Sequence, residues 1–569
     1  MATIHSRDVP PIQTLPLEIL WRIASHLSTT DFCSIRLSCR GLEKALLQPF
    51  ATDFFTRKQF MMSDFSLGAL VDIARSRLGP CLKSVHLGLD QLGVSAVVAY
   101  GLTPAEHARY HQLQEDGYMD SSREFDLLTE AFRHLGGLES IVIRDFNSNT
   151  RHRDGQGQHW RSYGALTIQR ETGVRPRVMY SVDGKRDAFD PTTIFSLVLR
   201  CLGQAQARPT SLRIYARRGG QLHDDAFSLP EVDSERESVA RVLAGLKELH
   251  LCIQPRYYQP IPPGPAHLLL RRLLVYTQSL EELRINCANE LNSSPLSESF
   301  AGFLRWLAIP VSQAAPPGQE VVDAASSSEP STKSYDHDPN SITNPIPPPI
   351  ALSRLRVLSF GSLTASAEDI LAVISKFARH LERLELWRLT LIPHNSFSSA
   401  PTRTSGCPWI TLFRGLLEIP DLKLTSLLVG RVRGSSRVSS DGFIRFVDED
   451  AVMWDRDLPV EVRYQGPDWR SFVQGLSMMY HSASEAQLVG RKALQTYITK
   501  FGGNGDANYE AEIARRAAKL EHTLSRTVYR VGGSEEYQGA FFEDVESEWI
   551  HDQMEYLEDE PLESEDDEW

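Results

Sequence analysis

No run of about 18 apolar residues occurs in the 569-residue sequence, so nothing in it reads as a membrane-spanning helix. The first residues, MATIHSRDVPPIQ, lack the positively charged and then apolar stretches of a secretory signal. Both absences set the expectation of a cytoplasmic or nuclear chain with no membrane partner. Cysteine is sparse. Cys33, Cys39, Cys81, Cys201, Cys252, Cys287 and Cys407 are scattered, odd in number and mostly set in apolar patterns such as LHLCIQ and LRINCAN. That usage reads as reduced core thiols and excludes a disulfide framework. A surplus of positive charge is missing too. The formal net charge is -13, yet Phe541 to Trp569 alone holds fourteen Asp and Glu with no Lys or Arg, leaving +1 for everything before it. A near-neutral body lacks the net basic surface that displaces counterions from phosphates, which argues against a nucleic-acid partner.

Catalytic signatures are equally lacking. There is no G-x-S-x-G elbow, no G-x-x-x-x-G-K-[ST] phosphate loop and no pair of cysteine knuckles; FGGNGDANYE is glycine-rich but lacks the following Lys and reads as a loop. EHARYH puts His107 and His111 one helical turn apart, a spacing able to ligate a metal, but no Glu occupies the metalloprotease position and no third ligand is evident. The expectation is no catalytic residue, no metal and no cofactor.

The most ordered pattern is QTLPLEILWRIASHLSTTDFCSIRLSCRGLEKAL. Ile19, Ile23 and Leu27 recur every four residues, with Leu20 widening the stripe, so they share a helix face. Pro16 suits the first helical turn and Glu18 the positive end of the helix dipole. STTD offers caps for a second helix carrying Phe32, Ile35 and Leu37, and Gly41 marks a break before LEKALL. Some 45 residues of this kind are too few to hold a core without help, and each helix carries more apolar surface than one neighbour covers.

Leu15-Pro16, Glu18-Ile19, Ile23, Leu27, Asp31-Phe32, Ile35-Arg36 and Ser38-Cys39-Arg40 resemble the F-box, the module by which substrate receptors attach to the Skp-type adaptor of cullin-based ubiquitin ligases. Where that family usually has Trp, two residues after the Cys-Lys/Arg pair, this chain has Leu42. The resemblance implies an adaptor-binding set of Leu15, Pro16, Glu18, Ile19, Ile23, Leu27, Phe32, Ile35, Cys39 and Leu42, with cullin and a RING subunit reached through the adaptor. No Cys has a nucleophile context, unlike ligases that carry ubiquitin on their own thiol.

From Pro80 onward a second pattern recurs: CLKSVHLG, GLESIVIRDF, PTSLRIYAR, GLKELHLCI, SLEELRINCAN, RLRVLSFGS, HLERLELWRL and KLTSLLVGRV. Each fits apolar-x-x-apolar-x-apolar, the alternation of a strand with one buried face. Helical patterns lie between them, including DLLTEAFRHLGG, TIFSLVLRCLG, AEDILAVISKFARH and WITLFRGLLEI. Strand and helix in repeated succession is the wiring of a leucine-rich-repeat solenoid. The spacings are uneven and most units lack the closing Asn, which leaves an open α/β layer of other connectivity as the alternative.

The expected fold class is α+β, a small helical F-box followed by an irregular leucine-rich-repeat-like α/β solenoid, a helical C-terminal extension and an acidic tail. The boundaries are a disordered N-terminus at 1–12, the F-box at 13–58, a helical linker at 59–80, the repeat-like domain at 81–455, the extension at 456–540 and the tail at 541–569. Residues 311–349, rich in Pro, Ser, Ala and Asp, read as a disordered insertion. Strand residues facing away from the buried pair, among them His86, Arg144, Arg213, Tyr215, His250, Arg284, Asn286, Arg383 and Trp387, are expected on a concave face that contacts an unknown protein substrate, since Arg and aromatics dominate interface energetics. Ser564, followed by acidic residues, reads as a site for an acid-directed kinase. The functional expectation is a substrate-recognition subunit of an SCF-type ubiquitin ligase. The alternative is a non-degradative scaffold acting without cullin.

Overall fold

The structure, a computed structural model, describes residues 11–91, 102–117, 121–146, 161–174, 176–178, 190–216, 221–253, 267–287, 298–311, 346–392, 408–434, 445–448, 461–474 and 528–531. Two compact units make up the chain, one of residues 1–252 with 541–569 and one of residues 253–540. The C-terminal tail with Ser564, most of the 311–349 insertion and Cys407 lie outside the described residues.

The first unit opens with four short helices, α1 (Leu17–Ser25), α2 (Thr29–Ser38), α3 (Arg40–Ala45) and α4 (Leu47–Phe55). Pro16 stands at the N-cap of α1, where its missing N-H costs nothing. Ser28 caps α2: its Oγ accepts from the Asp31 N-H at 3.1 Å and donates to the Asp31 carboxylate at 2.8 Å. The break before the third helix falls at Cys39, not at Gly41. Cys39 is extended (φ -158°), and its Sγ accepts from the Leu42 N-H.

The linker expected to be helical over 59–80 begins instead as a strand. β1 (Arg57–Met61) starts a parallel sheet that continues in chain order through β2 (Ser84–Gly88), β3 (Ser140–Arg144), β4 (Ser211–Tyr215) and β5 (Glu248–Ile253). Between them run α5 (Asp64–Arg75), α6 (Pro104–Gly117), α7 (Ser121–His134), α8 (Ala165–Thr172), α9 (Pro191–Ala205) and α10 (Asp233–Gly245). Of these, α5, α7, α9 and α10 pack successively on one another, as parallel strands joined by helical crossovers require.

One hydrogen-bonding step recurs. The N-H groups of Lys83 and Ser84 both donate to the carbonyl of Thr56, those of Glu139 and Ser140 to Lys83, those of Thr210 and Ser211 to Glu139, and those of Lys247 and Glu248 to Thr210. Each strand therefore begins one rung beside the last, in unbroken register. Leu82, Leu138 and Leu246, which precede their strands, are buried together with the inward pairs Val85/Leu87, Ile141/Ile143, Leu212/Ile214 and Leu249/Leu251.

The second unit repeats the plan with α11 (Leu268–Leu274), β6 (Glu282–Cys287), α12 (Glu298–Ala308), β7 (Val357–Gly361), α13 (Ala367–Phe377), β8 (Arg383–Trp387), α14 (Pro408–Glu418), β9 (Ser426–Gly430) and β10 (Glu461–Gln465). β6 to β9 are parallel neighbours in chain order. Glu281, Arg356 and Glu382 each accept from the two N-H groups that lead into the following strand. Ser362, Arg388 and Arg431, immediately after β7, β8 and β9, all take left-handed φ values (49°, 52° and 48°). That turn sends the chain into a small second parallel sheet of 364–366, 390–392 and 433–434. β10 runs antiparallel along β9 and closes its free edge. The expected helical extension over 456–540 thus starts, among the described residues, with a strand, and residues 528–531 pair with 445–448 as parallel strands.

Candidate functional site

The four N-terminal helices enclose a core of Leu20, Ala24, Phe32, Leu42, Leu46 and Phe54. Phe32 lies 6.1 Å from both Phe50 and Phe54, centroid to centroid, and Phe50 is 5.1 Å from Phe54. Of the residues expected to meet an adaptor, Phe32 and Leu42 are buried in this core and shape the module from within. Leu15, Leu27, Ile35 and Cys39 are half-buried and pack against the same core. Pro16 and Glu18 are exposed at the start of α1.

Ile19 and Ile23 face outward, 45% and 37% exposed. The inner and outer faces of α1 differ by one residue, or about 100° of rotation: Leu20 and Ala24 point inward while Ile19 and Ile23 do not. Sequence reasoning passed over two further apolar residues on the outside, Leu17 (41% exposed) and Trp21 (39%), while Leu37, expected on the apolar side of the second helix, is 71% exposed. Trp21 spends its indole N-H on the Ala45 carbonyl at 3.1 Å, so its ring is held at the surface. For Trp21 the signal was available, since once Leu20 and Ala24 are inward the residue that follows Leu20 is turned about 100° away from it.

The module is tied to the sheet. Arg36 stacks on Phe50 with its guanidinium carbon 3.8 Å from the ring centroid and pairs with Glu43 at 3.3 Å. Arg77, beyond α5, pairs with the same Glu43 carboxylate. The hydrogen bond from Arg77 holds Glu43 below the ordinary carboxylate pKa.

On the sheet face opposite the helices, the first unit carries a polar row. Gln59 donates to Ser162 Oγ at 2.9 Å, and Ser162 donates to Asp90 at 2.6 Å. Gly88 makes room for this, because a Cβ there would lie 2.3 Å from Ser162 Oγ. Burial, together with the Arg144 guanidinium, holds His86 well below its ordinary pKa. The neutral ring accepts from Arg144 Nη1 through Nδ1 at 3.4 Å, leaving Nε2, 3.1 Å from Ser84 Oγ, to carry the proton. Arg213 is held by Ser211 Oγ at 2.9 Å and by Glu248, and the Tyr215 hydroxyl meets His250 Nδ1 at 3.3 Å.

In the second unit the corresponding side of the strands is also filled. Arg284 lies between Glu282 and Glu385, the latter pair at 2.7 Å, and all three are largely buried. In the row above, Asn286, Gly361, Trp387 and Gly430 stand in register on four successive strands. A Cβ on Gly361 would come 2.4 Å from Asn286 Oδ1, and one on Gly430 2.1 Å from the Trp387 ring. The glycines are what allow the two flat side chains to lie sideways across the sheet.

These contacts correct the expected partner-binding row. Arg144, His250, Arg284, Asn286 and Trp387 are buried, because in-register neighbours supply charges, rings or glycines that absorb them. His86, Arg213, Tyr215 and Arg383 are half-buried. A cleft of about 580 Å³ lies elsewhere, at the strand starts of the second unit, where Arg356 sits among Glu281, Glu382 and Lys423. Among the described residues, no group of three or more His, Cys, Asp or Glu is placed to hold a metal, and no helix is long and apolar enough to cross a membrane. The six described cysteines are free thiols, and burial pushes those of Cys201 and Cys252 up to about 12.

No curated protein matches the chain. Residues 12–49 match the family model described as the F-box domain, which supports placing the chain among the F-box proteins.

Proposed function

We propose that the chain is the substrate-recognition subunit of an SCF-type ubiquitin ligase complex. F-box domains generally bind Skp1-type adaptors, and F-box proteins are typically receptors of this kind. The observation that carries the reading is the exposed apolar surface of the module, Ile19 and Ile23 together on the outward face of α1 and Leu37 on α2, while its own core is already filled. Apolar surface concentrated on so small a module marks a binding face. Through the adaptor the chain reaches cullin and the RING subunit, which bring charged ubiquitin to a bound target. Its contribution is proximity, which raises effective concentration without a catalytic side chain.

Within each unit we read the strand-and-helix succession as irregular leucine-rich-repeat-like units, supported by the recurring hydrogen-bonding step and the buried leucines before the strands. Of the expected row, His86, Arg213 and Tyr215 in the first unit and Arg383 in the second are half-buried and keep surface for a protein target. The cytoplasm or nucleus is the compartment in which such a complex works.

Purification of the tagged chain from cells tests the reading. Recovery of adaptor and cullin together is expected. Adaptor without cullin gives the second reading, a scaffold, and recovery of neither refutes both. Pro16→Ala with Ile19→Ala abolishes recovery of the adaptor in either case.

A further inference from the structure

The pair His107 and His111, one turn apart on α6, is not used by the adaptor face or the sheet. Both side chains are exposed, and their Nε2 atoms share a hydrogen bond at 3.3 Å, whose proton an arriving cation displaces. Two imidazole nitrogens bound to one tetrahedral zinc ion, each at about 2.0–2.1 Å, stand about 3.3 Å from each other. We propose that His107 and His111 form a two-nitrogen clip for a borderline divalent cation of the zinc, nickel and copper class, with its remaining coordination positions open to solvent.

The surroundings hold the clip in shape. Thr103 and Glu106 close a reciprocal capping box at the start of α6: the Thr103 N-H and hydroxyl donate to Glu106 Oε2 at 2.8 and 2.7 Å, and the Glu106 N-H donates to Thr103 Oγ1 at 3.3 Å. Tyr110, buried beneath the helix, sets its ring edge to face against His111 at 5.7 Å. The cation nearest in sequence, Arg109, is engaged by Glu171 on α8 at 2.8 Å and by Gln112 at 3.1 Å, so its charge is already answered by a carboxylate. Once one imidazole holds the ion, the second acts as an intramolecular ligand at high effective concentration. Imidazole donors favour the late first-row ions over magnesium or calcium, which take oxygen. With two protein donors, Ala108 where a metalloprotease has its glutamate and the Glu106 carboxylate taken up by Thr103, the site is a point of attachment and not a hydrolytic centre.

The test is histidine footprinting of the full-length protein with diethylpyrocarbonate, read by peptide mass spectrometry, as Zn²⁺ or Mg²⁺ is titrated to 100 µM, on the order of a modest chelate affinity. Zinc should slow modification of His107 and His111 together by about twofold at about 100 µM, the half-occupancy reached when its concentration equals Kd, and magnesium should not. In the His111→Gln variant, protection of His107 should need at least about tenfold more zinc. Circular dichroism at equal concentration checks that the variant is folded. Equal modification with and without zinc, or protection of His107 that survives His111→Gln, overturns the proposal.

Discussion

Truncating Ile19 and Ile23 to alanine separates the outward face of the F-box module from its core. Full burial of an isoleucine side chain is worth about 1.5–3 kcal/mol. Ile19 is 45% and Ile23 37% exposed in the free chain, so the part left for a partner to cover amounts to about 1–2.5 kcal/mol for the pair, or about 5- to 60-fold in adaptor Kd. The rest of each side chain already touches the module, and its loss lowers stability by about 1 kcal/mol per site. Phe32→Ala is the contrasting change. Its ring is fully buried against Phe50 and Phe54, and removing it costs about 3–5 kcal/mol of folding free energy. Isothermal titration with purified Skp-type adaptor, alongside denaturant melts of each variant, reads both quantities. The double truncation should weaken binding while the chain stays folded. Phe32→Ala should lose binding together with the structure of the module. An unchanged adaptor Kd for the folded double variant refutes the assignment of this face.

Arg284→Glu should unfold the second unit and not selectively weaken a partner, since it sets three carboxylates together where Arg284 now separates Glu282 and Glu385; simple removal of a buried partner already costs about 3–5 kcal/mol in a urea melt. Gly430→Ala should cost about 1–3 kcal/mol, because the Trp387 ring occupies the space its methyl needs, and thermal melting reads the loss. His267 is buried against Phe300 and Phe303, and burial lowers its pKa to about 4 from the ordinary 6.5. A folded-state pKa below the unfolded one means that the unfolded chain binds the proton first, so stability is full above pH 6.5 and declines toward pH 4, by about 2 kcal/mol at pH 5. His267→Gln should remove that decline from denaturant midpoints compared at pH 7 and pH 5. Glu124 titrates the other way. Burial, with Asp64 beside it, raises its carboxyl to about 7, so its contribution is full below pH 4.5 and is lost as pH rises through 7. Glu124→Gln should therefore stabilise the chain by about 1–3 kcal/mol at pH 8 and leave it unchanged near pH 4.5.

The leucine-led strands were legible because two periods coincide in them. Leu355, Leu358 and Phe360 mark one buried row, and alternation alone predicts which side chains oppose it. What those opposing side chains meet was not legible, because it depends on register between strands far apart in sequence. Arg284 finds Glu385 about a hundred residues away, and Trp387 finds Gly430 only once β8 and β9 are aligned. A polar or aromatic residue opposite a buried row reads as solvent-facing when its own strand is all that is known. β1 was missed for a different reason. RKQFM shows no alternation, since Gln59, Phe60 and Met61 are all buried, and a strand covered on both faces carries no period of two.

The joint between module and sheet decides how the proposed receptor acts. A flexible tether would hold the target at a concentration set by linker length, whereas a fixed joint holds it at one distance and angle. Here α4 ends at Phe55 and β1 begins at Arg57, so a single residue, Thr56, separates them, and its carbonyl accepts the N-H groups of both Lys83 and Ser84. Glu43 adds a side-chain tie, taking Arg36 from within the module and Arg77 from beyond α5. The exposed Arg77 contributes little to stability, but its hold on a carboxylate that Arg36 fixes from within the module restricts rotation about a connection that is already a single residue long. The helices that present Ile19 and Ile23 are thereby fixed in orientation to the strand that starts the first sheet. For the proposed receptor this means that a target held on that sheet would be carried at a set distance from whatever covers the apolar face, so that lysines would be selected by where they lie on the target more than by the sequence around them.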